Sequence, residues 1–121
     1  MSRQSTEAPP APPVLLLHWE RTVDELMDRT ADFPRRVRAS FAVRIESIGL
    51  DILEGLIAAR WARRSETPAL LAQVDAKLQI LGVLLRLAFS RQYLSRRSFE
   101  QLVRELDEAG RMLGGWRRSF A

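Results

Sequence analysis

Apolar residues recur every third or fourth position over most of this chain, and the polar/apolar alternation that a half-buried strand needs is missing. Four segments carry the helical period. Residues 14–30 place Leu16, Trp19, Val23, Leu26 and Thr30 on one face and stop before Asp32-Phe33-Pro34, where proline breaks a helix. Residues 34–64 put Phe41, Ile45, Ile48, Ile52, Leu56 and Ala59 on a single stripe. The Ser65-Glu66-Thr67-Pro68 run then signals a new start, with Thr67 as the expected cap and Pro68 at the first helical position. The third segment, 68–91, lines up Leu71, Val74, Leu78, Leu81, Leu85 and Ala88. Ser95 caps a fourth, 96–118, which turns Phe99, Leu102, Leu106, Ala109, Leu113 and Phe120 inward. Amphipathic helices joined by short links predict an all-α fold, an antiparallel up-down-up-down four-helix bundle. Residues 1–13, with prolines at 9, 10, 12 and 13, are expected to form a disordered Pro-rich tail ahead of a bundle spanning 14–121.

One helix departs from the amphipathic rule. Around the third segment Ile80, Leu81, Val83, Leu84, Leu85, Leu87, Ala88 and Phe89 cover every side except that of Arg86, and a helix apolar all round has to be buried all round. A second buried face implies self-association through Ile80, Val83, Leu84 and Leu87. The apolar window 80–89 is ten residues long, short of the ~20 that a membrane span requires, and no secretion signal opens the chain. The expectation is a soluble, cytoplasmic homo-oligomer without membrane contact.

Composition removes most chemistry. The chain has 121 residues, one histidine and no cysteine, so thiol nucleophiles, thiolate metal sites and imidazole clusters are out of reach; no metal, cofactor or catalytic residue is expected, and the protein reads as a non-enzyme. His18 is expected to be structural. Glu20, Asp24, Asp28 and Asp32 recur at every fourth position and read as a solvated helix face. Of 19 basic residues only Lys77 is a lysine, and against 15 acids the formal net charge is +4. Antiparallel packing sorts these charges. Arg35, Arg36, Arg38, Arg86, Arg91, Arg96 and Arg97 gather at one end of the bundle, and Arg60, Arg63, Arg64, Arg117 and Arg118 at the other. The second group sits at helix C-termini, where the helix dipole favours cations. Arg35, Arg36, Arg38, Arg96 and Arg97 sit at N-termini, where it does not, and a bound anion such as a nucleic-acid phosphate accounts for them better.

The run Phe33-Pro34-Arg35, the sequence Leu85-Arg86-Leu87-Ala88, Tyr93-Leu94-Ser95 and above all residues 109–116, AGRMLGGW, resemble the accessory variability determinant (Avd) proteins of diversity-generating retroelements. They are also similar to the four-helix-bundle proteins encoded in intervening sequences of 23S ribosomal RNA genes. The resemblance covers about residues 19–118. It implies a homopentameric ring with a basic surface that binds RNA or DNA–RNA hybrid with little sequence preference and associates with the element's reverse transcriptase in mutagenic cDNA synthesis, without catalytic residues of its own. The nucleic-acid-binding residues would then be Arg35, Arg36, Arg38, Arg91, Arg96, Arg97, Arg60, Arg63, Arg64, Arg117 and Arg118. Alternatives are an intervening-sequence-type RNA-binding bundle, or an oligomeric adaptor for an acidic protein. Gly110, Gly114 and Gly115 are expected to admit another backbone close to the fourth helix, with Trp116 packed beside them.

Overall fold

The computed structural model describes residues 13–121, so the expected tail lies outside the described residues except for Pro13, which opens the first helix. Four α-helices, α1 (Pro13–Thr30), α2 (Val43–Trp61), α3 (Thr67–Ser90) and α4 (Arg96–Arg118), carry the fold, and no strand occurs among the described residues. Each helix packs on its neighbours in sequence and α1 closes the ring on α4, which is the expected up-down-up-down bundle.

The core follows the predicted stripes closely. On α3 all of Leu71, Val74, Leu78, Leu81, Leu85 and Ala88 are buried, and they face Ile45, Ile48, Ile52, Leu56 and Ala59 of α2 and Leu102, Leu106, Ala109, Leu113 and Trp116 of α4. On α1 the buried residue of the first turn is Leu15, with the expected Leu16 only half-buried at the edge. Trp19 lies fully inside and donates its indole N–H to the Gly49 carbonyl at 2.9 Å, tying α1 to α2 across the core.

The second segment is less regular than its periodicity suggests. After Pro34 the chain makes a 3-10 turn (Arg35–Val37) and a wide π turn (Arg38–Ala42), and α-helix begins only at Val43. Here Phe33, Phe41 and Tyr93 pack ring on ring, with centroids 5.5–6.2 Å apart, and Arg38 turns back to donate from Nε to the Phe33 carbonyl at 3.0 Å. The irregular turns accommodate that packing. The helix also stops at Trp61, not Arg64, because Ala62 is extended and the Arg63 carbonyl accepts from the Glu66 and Thr67 amides and from the Thr67 hydroxyl. Thr67 is therefore a buried donor and not the accepting cap expected of it. Ser95 does cap α4, accepting from the Ser98 amide at 3.1 Å.

The glycines reverse another expectation. Gly110 faces open space, and a Cβ on Gly114 or Gly115 would meet only the Arg118 guanidinium, so this run brings no backbone close within the subunit. The close approaches are at Gly49, whose Cβ would lie 2.9 Å from Leu26 Cδ1, and Gly55, whose Cβ would lie 2.7 Å from Val74 Cγ2.

These contacts set a pair of opposite outcomes. Gly55→Ala forces a stiff valine aside at a cost of about 1–3 kcal/mol, which the better helix propensity of alanine only partly offsets, so the variant unfolds at lower urea. Gly110→Ala meets nothing and gains about 0.5–1 kcal/mol, raising the midpoint. Urea unfolding followed by circular dichroism reads both signs.

Candidate nucleic-acid interface

The antiparallel bundle brings the start of α2, the end of α3 and the start of α4 to one end. The α3–α4 turn is built as a Schellman cap: Gln92 takes the left-handed conformation (φ 66°), its amide bonds the Phe89 carbonyl at 2.9 Å, and the Tyr93 amide reaches back to Ala88 at 2.8 Å. That turn directs the Tyr93 ring into the Phe33–Phe41 pair. Around the ring stand the Arg36 and Arg91 guanidinium carbons, 5.9 and 5.8 Å from its centroid. A hydrogen bond from Arg91 to the phenolic oxygen, reinforced by the charges of Arg91 and Arg36, lowers the Tyr93 pKa from its ordinary value against the opposing effect of burial. Beside it Phe89 and Phe99 stack at 4.6 Å, almost parallel, and Arg96 lies 5.4 Å over Phe89.

Of the arginines placed here by the sequence, Arg35, Arg36, Arg91, Arg96 and Arg97 are exposed, and Arg38 is held by its bond to the Phe33 carbonyl. Arg96 makes an exposed pair with Glu100 at 3.8 Å; among the described residues no carboxylate pairs with the other five. Arg86 does not join them. It lines a groove of about 960 Å³ between α3 and α4, together with Val83, Glu100 and Arg104. Charge and helix order single out the arginines but not their aromatic partners. Their signal was the interleaving of Arg91 with Tyr93 and of Arg35 and Arg36 with Phe33 and Phe41.

The opposite end gathers Arg60, Arg63, Arg64, Arg117 and Arg118. Arg60 lies 5.5 Å from the Trp61 ring, Arg64 lies 5.3 Å over Phe120, and Arg117 pairs with Asp75 of α3 at 3.4 Å. The dipole of α2, and the Asp75 pair, account for part of this charge.

Between the ends the molecule is acidic on α1, where Glu20, Asp24 and Asp28 are exposed, and Asp32 is exposed in the turn that follows. His18 is structural, as expected: its Nε2 donates to the Glu105 backbone carbonyl at 2.8 Å. Further along the same α1–α4 seam the Glu25 carboxyl faces that of Glu105. Burial, the hydrogen bond with Glu105 and the charge of Glu105 raise the Glu25 pKa from 4.5 to about 7, with Asp28 adding to the rise and Arg29 opposing it. No group of three or more His, Asp or Glu side chains converges on a metal-sized site among the described residues.

On the outside of α3, Ile80, Val83 and Leu87 stand exposed and Leu84 is half-buried. The helix as a whole is longer and more apolar than the ten-residue window suggested, with a mean hydropathy of 1.4 over its best 18 residues, enough by length and composition to cross a membrane. Its other side supplies the bundle's core seam, which is the ordinary reason for such a composition in a core helix.

Residues 14–120 match the family described as bAvd-like, which covers all four helices and both basic ends. No curated protein matches the chain.

The carboxyl pair sets a pH dependence. Because the folded chain holds the Glu25 proton more tightly than the unfolded chain, stability falls as pH rises from 4.5 to about 7 and levels off above. Glu25→Gln removes that decline. Thermal unfolding is expected to show it matching the wild type below pH 4.5 and exceeding it above pH 7, by on the order of 1 kcal/mol once solvent screening of this half-exposed group is allowed for.

Proposed function

The chain belongs to the bAvd-like family of accessory variability determinants, and from that membership we propose that it is a non-catalytic accessory subunit of a diversity-generating retroelement. In this reading it binds RNA or DNA–RNA hybrid through its basic ends and associates with the element's reverse transcriptase to support mutagenic cDNA synthesis. The observation that carries the binding is the cluster at the α2–α3–α4 end. Arg35, Arg36, Arg91 and Arg97 are exposed and lack carboxylate partners, and Arg36 and Arg91 are held in place by aromatic faces. Arg96 and Arg97 at the start of α4 oppose the helix dipole, which a polyanion would relieve. Arg35, Arg36 and Arg38, expected at a helix N-terminus, instead precede the α-helix that begins at Val43 and owe their positions to the turns and the aromatic cluster. Such contacts go to phosphates, which position a strand without reading its bases.

The subunit works as a homo-oligomer, a pentameric ring in the cytoplasm, with the exposed Ile80–Val83–Leu87 line and Leu84 at the contact. The run of exposed aliphatic side chains supports the reading, since such side chains suit the core of a protein interface. Ring closure would repeat each arginine cluster around the symmetry axis and make the ends continuous basic surfaces.

The binding is tested with Arg36→Glu combined with Arg91→Glu. Affinity for a structured RNA is expected to fall by a similar factor for unrelated sequences, and the slope of log K against log salt to shrink by about one per lost phosphate contact. An unchanged affinity and slope would remove this end from the interface. Co-purification of the wild type with the retroelement's reverse transcriptase supports the accessory role, and capture of an unrelated acidic protein in its place favours the adaptor.

Assembly is tested separately. Val83→Asp places a carboxylate in the middle of the proposed contact, so light scattering is expected to report an oligomer for the wild type and a folded monomer for the variant. A monomeric wild type at micromolar concentration overturns the assembly.

A further inference from the structure

Trp61, the last residue of α2, is 78% exposed, whereas Trp19 and Trp116 are 0% and 3% exposed. It sits on the outward side of α2, opposite the buried Ile52, so it cannot join the core without unwinding the helix. Its ring lies 5.5 Å from the Arg60 guanidinium, and exposed Arg63 and Arg118 share the same end of the bundle. We propose that Trp61 is a stacking platform for an unpaired nucleobase, with Arg60, Arg63 and Arg118 taking the flanking phosphates, so that this end binds single-stranded nucleic acid. The proposal rests on the nucleic-acid reading given above and assigns the two ends different ligands.

The contrast between the ends carries the assignment. At the Tyr93 end the aromatic faces are already used: Tyr93 packs on Phe33 and Phe41 and meets two guanidinium groups, and Phe89 is covered by Phe99 and Arg96. Those rings hold arginines for phosphate contact and have no face left for a base. Trp61 carries Arg60 over one face and, at 78% exposure, keeps the other open, the combination that captures unpaired bases of any sequence. A base inside a duplex is stacked on both sides and cannot use it. A second copy of the chain is the competing occupant, because Val43, Leu50 and Ile57 continue the same exposed line along α2. The like charges of Arg60, Arg63 and Arg118 around Trp61 weigh against it, since a self-contact that sets this end against its own copy juxtaposes like charges.

The test uses the full chain and two labelled RNA probes of about ten nucleotides, one without self-complementarity and one a blunt duplex. Trp61→Ala is expected to weaken single-strand binding about tenfold and leave duplex binding unchanged, while Trp61→Phe keeps most of the single-strand affinity. The single strand is also expected to quench the tryptophan fluorescence of the wild type but not that of Trp61→Ala, whose remaining indoles are buried. Equal single-strand affinity for the wild type and Trp61→Ala overturns the proposal. So does an equal loss for both probes accompanied by a smaller oligomer in light scattering, which assigns Trp61 to a contact between copies. A wild type that binds neither probe overturns the nucleic-acid reading itself, whereas duplex binding with an inert Trp61 overturns only this inference.

Discussion

The aliphatic seam of α3 against α2 and α4 is the constraint from which the rest of the molecule follows. Leu71, Val74, Leu78, Leu81 and Leu85 can leave water only if the neighbouring helices run antiparallel and in close register, and Gly55 lets α2 come within side-chain contact of Val74. That register stacks helix ends: the start of α2, the end of α3 and the start of α4 share one plane, and the ends of α2 and α4 share the other. The flanking arginines have no freedom to spread along the axis. Their crowding is a geometric result of burying the seam, and no local attraction among them is needed to explain it.

What makes the crowding tolerable differs between the ends. A guanidinium over an exposed aromatic ring gains about 0.5–1 kcal/mol, comparable to the roughly 1 kcal/mol between two like charges 4 Å apart in water. At the Tyr93 end the rings of Tyr93 and Phe89 hold Arg36, Arg91 and Arg96, which fixes their positions but leaves their charge unneutralised. At the other end Asp75 pairs with Arg117, and the C-terminal dipole of α2 meets Arg60. The first end thus keeps the larger unmet demand for an anion. Its aromatic residues serve the arginines, while the exposed indole at the second end meets Arg60 alone among the described residues.

Periodicity made the bundle legible because buried positions on a long helix obey one spacing. All six residues expected inside α3 are inside, and so are the aliphatic positions of α2 and α4. It failed where local packing overrides that spacing. The wide turn at Arg38–Ala42 answers to three aromatic rings, one of them from the distant residue Tyr93, and no window of contiguous sequence contains that contact. Thr67 was read by its residue type as an acceptor, but the Arg63 carbonyl lay within reach of its hydroxyl. The glycines at 110, 114 and 115 look like a close-packing motif, yet only the three-dimensional neighbours show that the tight glycines are Gly49 and Gly55. For the candidate site, the arginines and their two ends were legible from charge and helix order. Trp61 falls half a turn from Ile52 by the same arithmetic that found the core, but periodicity says only that it points outward.

Segregation of charge also explains why a net charge of +4 understates the field that a polyanion meets. Glu20, Asp24 and Asp28 line the outside of α1, and Glu25 behind them is held partly protonated near neutral pH by burial and by Glu105. A strand drawn to the molecule is repelled from that flank and admitted at the ends. Screening at physiological salt confines each cluster's reach to about 8 Å, short compared with a bundle whose helices run some 30 Å. The two ends therefore act as separate sites within a subunit, and a strand long enough to touch both has to cross a face that is not α1. The α3–α4 face, whose groove is lined by Arg86, Arg104 and Arg111 and by Asp75, Glu100 and Asp107, is close to neutral, so it neither repels a strand as α1 does nor holds one as the ends do.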